Sequence, residues 1–255
     1  MRLATDPTAE NVHGFRTTSR RLEVLTERLL PGSDRNQRKL LKLLSRIRRR
    51  AGRLRDIDVQ LAALRSFKIL SEPRRKRQLV EHLLEVRQKH ERRLAKQLKK
   101  ATIAELRTRM RLAARRMNFS KCNEPLTVAR QILSSISLKE PVTEKMLHDY
   151  RVAVKQARYA AEFAAKSAEV SKFIAELKVL QDALGDWHDW MTLTNTASER
   201  LGEIGQSSLV AALHNATRLR FRRALATVSA SRERSDASVS FRQPALRASS
   251  LPTAA

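Results

Sequence analysis

Apolar residues recur every three or four positions along almost the whole chain. One stripe of this kind follows residues 40–54, and another follows residues 173–184. This spacing places apolar side chains on one face of an α-helix, whereas a half-buried strand alternates apolar and polar positions. No convincing alternation is present, so the pattern predicts an all-α protein.

Chain breakers are rare, with six glycines and seven prolines, and they divide the stripes into helices. The predicted helices cover residues 8–30, 34–54, 56–70, 73–100, 102–117, 126–138, 143–166, 170–184, 187–204 and 206–228. Residues 1–228 are expected to form the helical domain. Residues 229–255 are rich in Ser and Ala and lack an apolar stripe, which predicts a disordered tail.

The charge balance indicates a polyanionic partner. The chain has 52 Lys and Arg against 26 Asp and Glu, a formal net charge of +26. An imbalance of this size destabilises a compact chain by self-repulsion, so it favours a partner such as nucleic acid, anionic lipid or an inorganic phosphate polymer. Because 42% of the residues are hydrophobic, the chain can still bury a core.

The single cysteine, Cys122, excludes an internal disulfide framework and suits a reducing compartment. The N-terminal segment lacks the apolar region of a signal peptide, and no apolar run approaches the length of a membrane span. We therefore expect a soluble, cytoplasmic protein.

Two distant segments repeat the same order of residues. The first contains His13-x-x-Arg16-x-x-x-Arg20-Arg21, then an apolar helix and "AGRLRDID" at 51–58; the second contains His148-x-x-Arg151-x-x-x-Lys155, then an apolar helix and "LGDWHDWM" at 184–191. Gly52, Arg55 and Asp56 thereby match Gly185, His188 and Asp189. Because order and spacing are both kept, we expect two similar helical bundles, about 8–117 and 126–228, side by side and related by a pseudo-twofold.

The basic residues of each repeat share one side of a helix. His148, Arg151, Lys155 and Arg158 fall within an arc of roughly 80°, beside the arc that faces the core. A ladder of cations in this position suits a linear polyanion, since each phosphate can take a charge-assisted contact. A solvated helix face is the usual explanation for one basic helix, but a solvated face does not need to keep its histidine and spacing in two copies.

The paired "HGFRTTSRRL" and "HDYRVAVKQARY", each followed by a glycine-and-aspartate element, resemble the CHAD family of conserved-histidine α-helical domains. The resemblance spans about residues 10–225. It implies two four-helix bundles around a pseudo-twofold, a basic central channel and binding of inorganic polyphosphate. An association with polyphosphate granules in the cytoplasm is compatible with this function.

The resemblance also implies a set of ligand residues, which we call the cation rows. The first row is His13, Arg16, Arg20 and Arg21, and the second is His148, Arg151, Lys155 and Arg158. Secondary candidates are Arg50, Arg55, Lys178 and His188. Glu23 stands where the second repeat has Arg158, and His188 stands where the family more often has Asn or Arg, so we expect unequal contacts and weaker binding by the first repeat.

Catalysis is not predicted. Asp182, Asp186 and Asp189 could collect a divalent ion on paper, but Gly185 interrupts the predicted helix, and nearby Lys178 and His188 can neutralise the carboxylates. Asp56 and Asp58 are interpreted in the same way, as a helix start with ion pairs to neighbouring arginines. The chain has no phosphate-binding glycine loop or nucleophile elbow. We therefore expect no cofactor, no metal and no enzyme.

A nucleic-acid-binding helical protein is the alternative function. Residues 74–116 are strongly basic and could extend the positive field, bind nucleic acid or form a solvated face, and the sequence leaves these choices open. Aromatic residues make up only 4% of the chain, so few side chains can stack on bases. Polymer length preference and oligomeric state are left open as well.

Overall fold

A computed structural model of the chain describes residues 2–30, 32, 34–69, 72–139, 141–202 and 204–240. The helices are α1 (Arg2–Thr5), α2 (Ala9–Val24), α3 (Arg35–Ser66), α4 (Pro73–Gln97), α5 (Lys100–Arg116), α6 (Pro125–Ser134), α7 (Glu144–Ala161), α8 (Ala168–Leu201) and α9 (Ser208–Ser240). A π-helical turn, Leu25–Leu29, extends α2, and short 3₁₀ turns precede α6 and α9. No strand occurs within these ranges, which confirms the all-α prediction.

Polar side chains fix where several helices begin. Thr143 Oγ1 accepts a hydrogen bond from the Met146 N–H at 3.3 Å and starts α7. Ser167 Oγ accepts one from the Val170 N–H at 3.1 Å and starts α8. Such caps satisfy backbone donors that the first helical turn leaves free. They set the register of the two helices that carry the second repeat.

Two pairs of predicted helices are single long helices in the structure. The break expected after residue 54 falls inside α3, and the break expected at Gly185 falls inside α8. One glycine costs a helix only about 1 kcal/mol, which the buried side chains on both sides of it offset. The helix-start role predicted for Asp56 and Asp58 is therefore wrong, because both lie in the middle of α3.

Three clusters of buried side chains form the core. One joins α2, the N-terminal half of α3, the end of α4 and α5. Another joins α6, α7, the N-terminal half of α8 and the second half of α9. The third lies where α3, α4, α8 and α9 meet, and it includes Trp190. The apolar stripes predicted for residues 40–54 and 173–184 lie in the first two clusters, and this arrangement brings α2 and α7 together.

Helix α9 continues beyond residue 228, where the predicted disordered tail was expected to begin. Val228 is buried, and Arg232 Nη1 donates a hydrogen bond to the Leu138 carbonyl at 3.2 Å. The sequence after residue 228 lacks a strong apolar stripe but contains no proline before Pro244, so nothing stops the helix as far as Ser240. Residues 241–255 of the predicted tail lie outside the described residues. None of the described helices combines the length and apolarity needed to span a bilayer.

Candidate functional site

The two cation rows lie on helices that pack directly against each other, α2 and α7. Their charges interact across this contact. Burial lowers the pKa of His13 on α2, and the charges of Arg55, Arg16 and Lys155 lower it further. Arg16 and Arg20 of α2 likewise lower the pKa of Lys155 on α7. The fold therefore collects cations from both repeats in one place.

Lys155 is the most perturbed member of the rows. Burial and the charge of Arg151 lower its pKa to about 8, against an ordinary value of 10.5, although Asp189 acts in the opposite direction. A lysine loses its proton this readily when water and counter-charges are both scarce around it. The centre of the site therefore holds more positive charge than its own carboxylates neutralise.

Arg151 occupies the buried side of the second row. Only 13% of its side chain is exposed, and its nearest carboxylate contact is Nη2 to Asp189 Oδ1 at 3.9 Å. Its Nε is buried and has no hydrogen-bond acceptor among the described residues. Burial lowers the pKa of Arg151, while Asp189 and Asp56 oppose the shift. This guanidinium is a donor whose hydrogen-bonding capacity the fold leaves partly unused.

Arg16 makes the matching contact in the first repeat. Its Nη1 lies 3.8 Å from Asp56 Oδ1, and 31% of its side chain is exposed. The guanidinium rests on Gly52, where any side chain would overlap Arg16 Nη1. Thus residues matched in the sequence repeat, Arg16 with Arg151 and Asp56 with Asp189, form ion pairs of nearly equal length. The glycines are not equivalent, because nothing lies within 4 Å of the position of a Cβ at Gly185.

A second histidine, His188 of α8, lies next to His148 of the second row. The rings of His148 and His188 are 5.2 Å apart between centroids and tilted by 34°. Burial lowers the pKa of His148, and the charges of His188 and Arg151 lower it further. His188 Nδ1 lies 3.6 Å from Asp189 Oδ1, too far for a hydrogen bond. Both rings can be protonated together only at an electrostatic cost, which a bound anion would reduce.

Glu23, the departure from the expected basic residue, forms a buried ion pair. Its Oε1 accepts a hydrogen bond from Arg48 Nη2 at 2.6 Å, and only 10% of the Arg48 side chain is exposed. Its Oε2 lies 3.5 Å from Arg20 Nη1. In the second repeat, the matching residues are Arg158 and Gln181, and Arg158 Nε donates a hydrogen bond to Gln181 Oε1 at 2.8 Å. The contact is therefore present in both repeats, as an ion pair in the first and as a hydrogen bond to an amide in the second.

Arg21 and Arg158 are occupied by an acidic side chain. Glu162 binds Arg21 Nε at 2.7 Å and Arg158 Nη1 at 2.9 Å, which joins α2 to the end of α7. Both guanidinium groups also lie over the ring of Tyr159. These two predicted ligands thus already form short ion pairs. Arg16 and Arg151 lie farther from their carboxylates, and Lys155 forms no ion pair in the described ranges.

The secondary candidates separate into two groups. Arg55 and His188 adjoin the rows, as their effects on the pKa values of His13 and His148 indicate. Arg50 instead donates a hydrogen bond to Gln97 of α4 at 2.5 Å, away from the rows. Lys178 is exposed on α8 and has no ion pair in the described ranges. The sequence reasoning missed Arg48 and Glu162; the spacing of four residues between Arg158 and Glu162 was the signal available for the latter.

Two of the three aspartates weighed as a metal site, Asp186 and Asp189, pair with arginines. Asp186 Oδ2 lies 3.1 Å from Arg220 Nε of α9, and Asp189 faces Arg151. Asp58 likewise accepts a hydrogen bond from Arg87 Nε at 2.7 Å. No group of three or more metal-ligating side chains occurs in the part of the chain that the structure describes. Arginines of other helices pair with Asp186 and Asp189. Of the two neighbours suggested by the sequence, His188 lies 3.6 Å from Asp189, whereas Lys178 forms no ion pair in the described ranges.

The chain combines an all-α fold with two basic helices that pack against each other and carry the same sequence motif. The family model of the CHAD domain matches residues 2–198, and the chain belongs to this family. Among solved structures, the crystal structure of the CHAD domain from the plant Ricinus communis is similar, with a TM-score of 0.57 and 20% sequence identity. That similarity covers 87% of this chain and 77% of the plant chain. A search of curated proteins found no match.

Proposed function

We propose that the protein binds inorganic polyphosphate, without catalysis, between the two cation rows. The rows would line a basic channel between two bundle-like repeats related by a pseudo-twofold. Arg16, Arg151 and Lys155 bind the chain at its centre, and His13 and His148 contact it on the same side. Family membership supports this proposal, because CHAD domains are associated with polyphosphate binding.

The observation that carries the proposal is the packing of α2 against α7, which brings cations of both repeats close to Lys155. In keeping with this geometry, burial and Arg151 lower the pKa of Lys155 to about 8, with Arg16 and Arg20 of the other repeat adding to the effect. Concentrating cations in this way destabilises the unliganded fold, and a polyanion removes that cost on binding. Arg and Lys side chains on adjoining turns can each contact a different phosphate, which a monophosphate cannot exploit.

The spacing of the rows favours a thin, flexible anion. Consecutive cations on α7 are about 5 Å apart along the axis, one helical turn. A polyphosphate carries a negative charge on every unit and has no bases to accommodate. Nucleic acid remains the competitor that the test must include, although the low aromatic content gives it little to stack on. We place the protein in the cytoplasm, where its single free cysteine stays reduced.

The decisive variant removes the two central cations, Arg151→Ala with Lys155→Ala. Long-chain polyphosphate should then bind at least about a hundredfold more weakly, because charge-assisted contacts contribute about 1.5–3 kcal/mol each. Isothermal titration calorimetry at one fixed salt concentration measures the loss. Tripolyphosphate and orthophosphate, titrated into the wild-type protein, should bind progressively more weakly than the long chain.

The matched control is Lys166→Ala with Lys172→Ala. This variant removes the same formal charge from exposed positions near the start of α8. It should lose affinity only slightly, since long-range attraction is screened at physiological salt. Equal losses in the two variants would reduce the effect to net charge and contradict the proposal. Displacement of polyphosphate by duplex DNA at equal phosphate concentration would also contradict it.

A further inference from the structure

A second basic surface lies on α3 and α4, outside the cation rows. It consists of Arg49 and Arg53 on α3 and Lys89, Arg92, Arg93 and Lys96 on α4, and we call it the outer basic surface. All six side chains are exposed. None has a carboxylate within ion-pair distance in the described ranges, whereas neighbouring Arg87 binds both Asp58 and Glu91. The six cations are therefore not held in ion pairs with any other described residue.

The α4 part of this surface is concave. Lys89, Arg92, Arg93 and Lys96, with Glu85 and Gln88, line a shallow cleft of about 350 Å³. His90 lies between the two helices, and burial together with the charges of Arg93 and Arg53 lowers its pKa. Cations of α3 and α4 thus act on one half-buried ring, which indicates that the two helices contribute to a single electrostatic surface.

The outer basic surface is continuous with the cation rows around α3. Gly52, on which the Arg16 guanidinium rests, precedes Arg53 directly in the sequence. Successive residues of a helix are separated by about 100°, so Arg53 lies on the adjoining side of α3, and Arg49 lies between the two sides. Arg53 then interacts with His90 of α4. Cations of α3 therefore mark a path between the Arg16 contact at Gly52 and the cleft on α4.

We propose that this path binds the continuation of the same polyphosphate chain, so that the protein selects long polymers by using two surfaces in sequence. The inference rests on the proposed function of the rows. A flexible polyphosphate chain can turn around α3. Duplex DNA, with a persistence length of about 150 base pairs, is too stiff to bend around a single helix. Helix α4 also lacks Phe, Tyr and Trp, so it offers no platform for stacking bases.

The test compares chain lengths in two variants. Lys89→Ala with Arg93→Ala removes cations one helical turn apart, both of which lower the pKa of His90. This variant should bind long-chain polyphosphate about tenfold more weakly or worse, and should bind tripolyphosphate as the wild type does. The slope of log affinity against log salt should fall by one to two for the long chain. Lys166→Ala with Lys172→Ala is again the control of equal charge.

The outcomes separate this inference from the proposal on which it rests. If Arg151→Ala with Lys155→Ala weakens both ligands while the α4 variant matches the control for both, the rows bind polyphosphate and the outer surface does not. If the row variant keeps wild-type affinity for both ligands, the proposed function itself fails. A loss of duplex DNA affinity in the α4 variant without a loss for long-chain polyphosphate would overturn the inference in favour of a nucleic-acid surface.

An independent readout is the titration of His90 followed by NMR. A phosphate chain beside the ring favours its charged form, so long-chain polyphosphate should raise the pKa of His90. Tripolyphosphate, which is held by the rows, should leave the titration of His90 unchanged. An unchanged titration with both ligands would overturn the inference.

Discussion

Arg151 Nη2 lies 3.9 Å from Asp189 Oδ1, close enough for attraction but too far for a hydrogen bond. The matched residues of the first repeat, Arg16 and Asp56, are separated by 3.8 Å. Each carboxylate thus attracts an arginine without accepting a hydrogen bond from it. The N–H donors of the arginine therefore remain available to a phosphate. In this arrangement the aspartates position the site and also compete with its ligand.

Asp189→Asn tests this competition. The amide keeps the shape of the side chain and removes one negative charge next to Arg151, so polyphosphate should bind about threefold to tenfold more tightly below pH 7. A charge pair at this distance and exposure corresponds to roughly 1 kcal/mol. Calorimetry on the variant measures the gain. Asp182→Asn, an exposed position two turns earlier on α8, is the control and should change affinity far less.

The glycines of the two repeats allow a matched pair of variants. Gly52→Ala places a methyl group where Arg16 Nη1 now lies, while Gly185→Ala meets nothing within 4 Å. Because Arg16 is displaced from Asp56 at little cost to the backbone, Gly52→Ala should weaken polyphosphate binding severalfold. Both substitutions should raise the free energy of unfolding by about 0.5–1 kcal/mol, since alanine is the better helix former.

Calorimetry and urea denaturation of both variants separate binding from stability. Weaker binding by Gly185→Ala than by Gly52→Ala would contradict the role assigned to the Arg16–Gly52 contact. A large loss of stability in Gly52→Ala would show that the guanidinium cannot move aside.

The helical class and the core stripes could be predicted because periodicity reports which face of each helix is buried. Leu40, Ile47, Leu177 and Leu184 are buried as their spacing predicts. The continuity of α3 could not be predicted, since only tertiary packing on both sides of Gly52 outweighs the low helix propensity of glycine. Local pattern therefore identified the elements better than their ends.

The sequence indicated the cation rows because both copies of the repeat keep their spacing. The structure brings His13, Arg16, Arg151 and Lys155 close together, and their contact with polyphosphate stays a prediction. Pairing across helices was not predictable, because sequence order says nothing about which distant acid meets which base. Thus Glu162 binds Arg21 from 141 residues away, and Arg48 neutralises Glu23, a position that looked like a missing ligand.

The Glu23–Arg48 pair should contribute to stability. Only 10% of the Arg48 side chain is exposed, so Glu23→Gln leaves a nearly buried guanidinium without its charge partner. Breaking such a pair is costly, and we expect a loss of about 1–3 kcal/mol in the free energy of unfolding, measured by urea denaturation. Asp149→Asn is the control, since its partner Lys145 is 86% exposed and a pair screened by solvent in this way should change stability far less.

Lys155 should make stability and binding respond to pH in opposite directions. Its pKa is about 8 in the folded protein against an ordinary 10.5, so the unfolded chain binds the proton more tightly. Stability of the unliganded protein should therefore rise as the pH increases from about 8 towards 10.5. Polyphosphate requires the charged form, so its affinity should fall over the same range, by at most about tenfold per pH unit.

Lys155→Arg isolates this effect, because a guanidinium at this position stays charged over the whole pH range from 8 to 10.5. The variant should show a flatter affinity profile above pH 8 than the wild type. Thermal unfolding without ligand should likewise lose the rise in stability that Lys155 produces. Parallel profiles in the two proteins would assign the pH dependence to other groups.

His148 should govern the acid side of the binding profile. Burial, His188 and Arg151 all lower its pKa below 6.5, so the ring is largely neutral at neutral pH in the unliganded protein. A bound phosphate chain favours the charged ring, and each binding event should then take up protons. Affinity should increase from about pH 7 downward, and the increase should continue below pH 6.5 because the free ring resists protonation. His148→Gln should flatten this rise, whereas the control His82→Gln, on α4, should not. Calorimetry in buffers of different ionisation enthalpy counts the protons directly. Equal proton uptake by wild type and His148→Gln would remove His148 from the contacts and leave the anion to the arginines and Lys155.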